Sequence, residues 1–196
     1  MKGEIIMLYR LDGQTKQMLT GNVLLIICCL FYLAWWLLVF KPTGAVKGMK
    51  SGWLLLPAFV FGLAGIAEII RGSNPLKLQT GLMSGSFILF GGIAAYLILY
   101  GLTSVVLKRH VTTELFLIVG WAVLMLSELN ALYAEGQFSK FTAVAFIIIT
   151  AAAVAVSLIC YILYYKLDST LGYYDGAIPL ILAAVIPAAI SIVVII

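Results

Sequence analysis

Six runs of apolar residues, each long enough to cross a lipid bilayer and each bounded by charged or turn-forming residues, take up nearly all of this 196-residue chain. They cover Asn22–Phe40, Trp53–Ile70, Gly85–Leu107, Leu115–Tyr133, Thr142–Tyr165 and Ala177–Ile196. A bilayer core about 30 Å thick takes about 20 helical residues at about 1.5 Å rise each. With a mean hydropathy of +1.15 and 10% charged residues, no material is left for a separate water-soluble domain. The expected fold is all-α: a membrane protein with a six-transmembrane-helix bundle over residues 22–196 and a short N-terminal interfacial segment over 1–21.

That allocation excludes several functions. No P-loop, dinucleotide fingerprint or metal-spaced Cys/His pair is present, so no cofactor, resident metal or nucleic-acid partner is expected. His110, the single histidine, sits in the basic loop Lys108-Arg109-His110, where a solvated or headgroup-facing side chain is the ordinary outcome. Cys28 and Cys29 in the first span and Cys160 in the fifth read as small apolar packing residues, because a bridge between sequence neighbours on a helix is geometrically unfavourable. No intramembrane aspartate pair and no Ser/His constellation is found, so an enzyme is not expected. Residues 1–21 are too polar for a signal peptide. They resemble an amphipathic strip lying in the interface, with Ile5, Ile6, Leu8 and Leu11 apolar and Lys2, Arg10 and Lys16 basic.

Charge gives no orientation. Lys2, Arg10, Lys16, Arg71, Lys77 and Lys140 fall on the face that carries the N-terminus, and Lys41, Lys47, Lys50, Lys108, Arg109 and Lys166 fall on the other. Six basic residues on each side leave the positive-inside rule tied.

Within the spans, small residues mark where helices can approach closely. The second carries Ala58, Gly62, Gly65 and Ala67, and the third runs from Gly81-Leu-Met-Ser-Gly85 through Gly91, Gly92, Ala94 and Ala95. These two spans are therefore expected at the centre of the bundle, at a subunit interface or as an ordinary hairpin. Pro57 lies in the first turns of its helix, where its missing N–H does least harm. Pro187 lies mid-membrane and is expected to kink or open the sixth span.

A carboxylate inside a membrane is costly, so each one is a functional candidate. Glu128, in Trp121-Ala-Val-Leu-Met-Leu-Ser-Glu128-Leu-Asn130, is the clearest. It lies about 20 Å along its helix from Leu115, at about 1.5 Å per residue. Low dielectric favours its neutral form, which suits it to binding or relaying a proton, with Ser127 and Asn130 as hydrogen-bonding neighbours. A neutral carboxyl satisfying a neighbouring helix is the structural alternative. Glu68 precedes Arg71 by three residues, a spacing that predicts an interfacial ion pair beside any transport role. Glu135, Asp168 and Asp175 are expected in or beside loops, facing water.

From the second span onward the feature order resembles the small six-helix acetate and succinate transporters of the YaaH type. The shared features are a Gly/Ala-rich second span, here Phe61-Gly-Leu-Ala-Gly-Ile-Ala; a small-residue opening to the third, here Ser84-Gly-Ser-Phe-Ile-Leu; and a Trp early in the fourth, Gly120-Trp121. A more local stretch, with Trp121, Leu124, Leu126, Glu128 and Asn130 followed by Lys140-Phe141-Thr142, is similar to the AmiS–UreI amide and urea channels. Both resemblances imply a homo-oligomer of protomers, each with its own narrow path through the bundle. The combined expectation is a small-solute channel or secondary transporter for a short carboxylate, amide or weak acid, proton-coupled through Glu128, with Phe87, Tyr96, Trp121 and Tyr133 as pore-lining constrictions. The alternatives are a substrate-binding membrane subunit serving an ATPase partner and a structural membrane protein. The expected location is the bacterial cytoplasmic membrane, with the lipid bilayer and a small-molecule solute as partners.

Overall fold

The structure is a computed structural model, and it describes residues 12–40, 52–78, 81–107, 113–164 and 166–196. Residues 1–11 of the interfacial segment, the basic loop containing His110 and most of the loop after Phe40 lie outside the described residues. Among the described residues there are six helices and no strand: α1 (Gly13–Val39), α2 (Gly52–Ser73), α3 (Gly85–Leu107), α4 (Thr113–Ala134), α5 (Lys140–Tyr164) and α6 (Ser169–Ile195). All six are long and apolar enough to cross a membrane. The chain is an integral, multi-pass membrane protein.

Two helices outrun their apolar blocks. α1 starts at Gly13 rather than Asn22, so residues 13–21 are its first turns, with Asp12 at the N-cap position. α6 starts at Ser169 rather than Ala177, and Asp168 caps it by accepting a bond from Leu171 N at 2.9 Å. α4 stops at a glycine. Gly136 adopts φ +73°, Gly136 N donates to Tyr133 O at 3.0 Å and Gln137 N to Leu132 O at 2.9 Å. This is the left-handed helix terminus that only glycine enters without steric cost. α6 runs unbroken through Pro179 and Pro187, and Ser191 Oγ donates to the Pro187 carbonyl at 2.8 Å. The expected opening of that helix is not observed.

The principal pairings are α1 with α2, α2 with α4, α4 with α5, α5 with α6 and α6 with α1, while α3 packs on α4. Five helices therefore close a ring, and α3 lies outside it. Of the places expected for the second and third spans, the centre of the bundle and a shared hairpin are corrected for the third, which packs on α4 instead. The small-residue face of α2 meets α1: a Cβ on Gly21 would lie 2.8 Å from the Gly65 carbonyl oxygen, one on Gly65 2.9 Å from the Gly21 carbonyl, and one on Gly72 2.8 Å from the Gln14 carbonyl. Backbone meets backbone along this seam, the close approach that drives helix association in lipid. On α3, by contrast, Gly91 and Gly101 face open space and only Gly92 presses on α4, at Val123.

The most buried helix is α4. More than half of its most apolar stretch, 56%, is buried, against 6% for α3. Its inner face supplies Leu124, Met125, Leu129 and Leu132 to a core shared with Met18, Leu25 and Ile69. The outer surfaces of the other helices present Phe59, Leu63, Phe90, Ile98, Ile148 and Ile159, as a bilayer requires of lipid-facing positions.

Candidate functional site

Two hydrogen bonds between polar side chains link α1 and α4, which run antiparallel across the ring. Asn22 Nδ2 donates to Glu128 Oε1 at 2.6 Å. Thr15 Oγ1 donates to Glu135 Oε2 at 2.8 Å. Asn22 follows Thr15 by seven residues, and Glu135 follows Glu128 by seven, so the two bonds are rungs on matching faces two turns apart, about 10.5 Å at about 1.5 Å per residue. Glu128 and Asn22 are both fully buried. Glu135 is half-buried just past the end of α4, and burial pushes its carboxyl above the usual carboxylate range while the Thr15 hydroxyl partly offsets that. It does not stand free in water as the sequence reading expected.

Several polar atoms in this interior have no partner among the described residues: Glu128 Oε2, Asn22 Oδ1, the Trp121 indole N–H and Thr150 Oγ1. Trp121 precedes Glu128 by seven residues and so shares its face of α4 two turns deeper. Thr150 lies on the buried face of α5 with Phe146, Ala153 and Ser157. Leaving such a group unsatisfied costs about 1–3 kcal/mol. Two acceptors, one N–H donor and a hydroxyl that can do either are the kind of groups that water or a small polar solute satisfies.

The structure separates the other candidates. Ser127 Oγ donates to the Val123 carbonyl of its own helix at 2.8 Å and does not serve Glu128. Asn130 turns away as well: its Oδ1 accepts from Met83 N at 3.1 Å and its Nδ2 donates to Met83 O at 2.7 Å, so it latches the segment leading into α3 onto α4. A Cβ on Gly81 would lie 2.5 Å from Asn130 Oδ1, which explains the glycine there. Glu68 forms the expected ion pair with Arg71 at 2.9 Å. Of the four proposed constrictions, Phe87 is 65% exposed on the outside of α3. Tyr96 packs against Tyr100 and Phe116. Trp121 and Tyr133 lie against the core. These four do not form one ring of side chains.

Sequence reasoning missed Asn22, which it placed at the mouth of the first span. It also missed Asp175, half-buried in α6 beside the Cys160 thiol, with Oδ2 unpartnered. The only signal for Asn22 was an isolated amide at the head of a long apolar run. Among the described residues no three His, Cys, Asp or Glu side chains gather to hold a metal ion. No known family, characterised protein or solved structure matches this chain significantly.

Proposed function

We propose that the protein is a small-solute channel or secondary transporter whose passage of a short carboxylate, amide or weak acid is coupled to a proton on Glu128. The observation that carries this reading is the fully buried Glu128 carboxyl, bonded across the ring by Asn22 with one oxygen left over, and accompanied by an unpartnered indole N–H on the same helix face. A carboxyl costs several kcal/mol in a membrane interior unless it has a partner or a use. The solute class follows from the resemblances given above, as do a bacterial cytoplasmic membrane location and a homo-oligomer with one path per protomer.

Flux of acetate, succinate and urea into proteoliposomes tests it, measured at about pH 5 and about pH 7.5 to bracket a carboxyl group in an apolar setting. Wild-type protein is expected to move at least one of these solutes, and Glu128→Gln, which keeps size and hydrogen bonding but not the titratable proton, is expected to lose the flux or its pH dependence. A Gln variant that matches wild type at both pH values makes Glu128 a packing residue and removes the coupling. Tight solute binding with no flux would instead assign the chain to the partner-dependent subunit class.

A further inference from the structure

The bond between Asn22 and Glu128 leaves a bookkeeping problem that chemistry can solve in only a few ways. Asn22 donates through Nδ2 to Oε1. What remains are two acceptors, Asn22 Oδ1 and Glu128 Oε2, both enclosed and both without a donor. One turn away on either helix the side chains are apolar and buried: Met18, Leu19 and Leu25 on α1, and Leu124, Met125, Ala131 and Leu132 on α4.

The charged and titratable groups on the packed elements are few. α3 carries Tyr96 and Tyr100 but no charged side chain, α5 carries Lys140 at its first residue, with Cys160, Tyr161 and Tyr164 at its far end, and α6 carries Tyr173, Tyr174 and Asp175 near its start; α4 itself carries Glu114 and Tyr133, with Glu135 just past its end, bonded by Thr15. α2 offers Glu68, already paired with Arg71. α1 offers Lys16 near its start and Cys28, Cys29 and Tyr32 beyond Asn22. Among the described residues, Asn22 donates to Glu128 and is the side chain that lies against its carboxyl in a hydrogen bond.

We infer that Asn22 and Glu128 together hold a single proton as a neutral acid–amide pair, with Glu128 Oε2–H donating to Asn22 Oδ1 while Asn22 Nδ2–H donates to Glu128 Oε1. One proton converts two leftover acceptors into a donor and its acceptor, and the group becomes uncharged in a setting that penalises charge. A metal cation would satisfy the same two oxygens but asks for several more, typically six or so around a hard cation, and the side chains one turn away on either helix offer none. Loading takes a proton from water onto the carboxylate, forming one O–H bond with no redox change; unloading returns it. Asn22 is thus a positioning residue that fixes which carboxyl oxygen carries the proton. The inference rests on the transport reading for its use, and its test does not depend on transport.

Infrared spectra of the full chain in liposomes at about pH 7.5, well above the ordinary carboxyl range, supply that test. A protonated-carboxyl C=O band is expected in wild type and should disappear in Glu128→Gln, which keeps a two-point amide–amide ring and hence the fold. In Asn22→Leu the band should move to higher frequency or be lost, because the carbonyl loses its donor. Replacing choline chloride by sodium chloride should leave it in place. Absence of the band in wild type, its survival in Glu128→Gln, or its removal by sodium overturns the pair. A band that behaves as expected in a protein that moves no solute overturns the transport function alone, and flux without the band overturns the pair alone.

Discussion

At the scale of single residues, the latch made by Asn130 is the sharpest test of what the interior needs. Its amide bonds both the N–H and the C=O of one residue, Met83, and it is almost fully buried. Asn130→Ala should therefore lower the stability of the detergent-solubilised protein by roughly 1–3 kcal/mol, since it leaves the half-buried N–H and C=O of Met83 without their partner. A thermal unfolding midpoint equal to wild type would show that the segment finds other partners. Glu128 was legible from sequence because depth along an apolar run is countable, and depth alone makes a carboxyl notable. Its partner was not, because pairing depends on which helix crosses which. Ser127 and Asn130 look adjacent in the sequence but lie about 100° and about 200° around the helix from Glu128. Asn22 was hidden for a different reason: hydropathy marked it as the edge of a span, whereas α1 begins at Gly13.

Among elements, the glycine contacts divide sharply between the two faces on which sequence reading saw the same pattern. Gly21 and Gly65 each face the other's backbone, so Gly21→Leu or Gly65→Leu must push α1 and α2 apart and should destabilise the bundle by about 1–3 kcal/mol or more. Gly91→Leu on α3, where a side chain meets open space, should be tolerated. Differential scanning fluorimetry of the three variants in detergent checks both halves; equal losses, or no loss at the α1–α2 seam, would contradict the packing described. Small-residue tracks predict that some helix approaches closely but carry no address for it, which is why the sequence placed α2 against α3. The starts of α1 and α6 were misplaced for a related reason: Gln14, Thr15 and Lys16, like Thr170, Tyr173 and Asp175, lower hydropathy without breaking a helix. The Gly136 terminus of α4, in contrast, has a local cause that sequence can reveal.

For the whole molecule, the even number of crossings puts Gly13 and Ile196 on one face, and the contacts agree. Thr15 meets Glu135 and Asn22 meets Glu128, which makes α1 antiparallel to α4. Trp36 Nε1 donates to the Tyr173 carbonyl at 3.0 Å and Tyr173 OH to the Leu37 carbonyl at 3.1 Å, which joins the end of α1 to the start of α6. Cysteines introduced at Gly13 and after Ile196, in a background without Cys28, Cys29 and Cys160, should therefore label with an impermeant reagent from the same side of sealed vesicles. Labelling from opposite sides would break the six-crossing topology, and labelling of each end from both sides would indicate mixed insertion, which the tied basic residues permit. Six crossings were countable in advance, but the ring order was not, since closure is a property of pairs. The α1–α6 clasp also orders events in time. A ribosome delivers α1 first and α6 last of these helices, so the Trp36 indole waits through the making of four further helices before its acceptor exists. Until then the oldest part of the protein has an open flank, and the bundle reaches its native enclosure only when its youngest helix swings in beside its eldest.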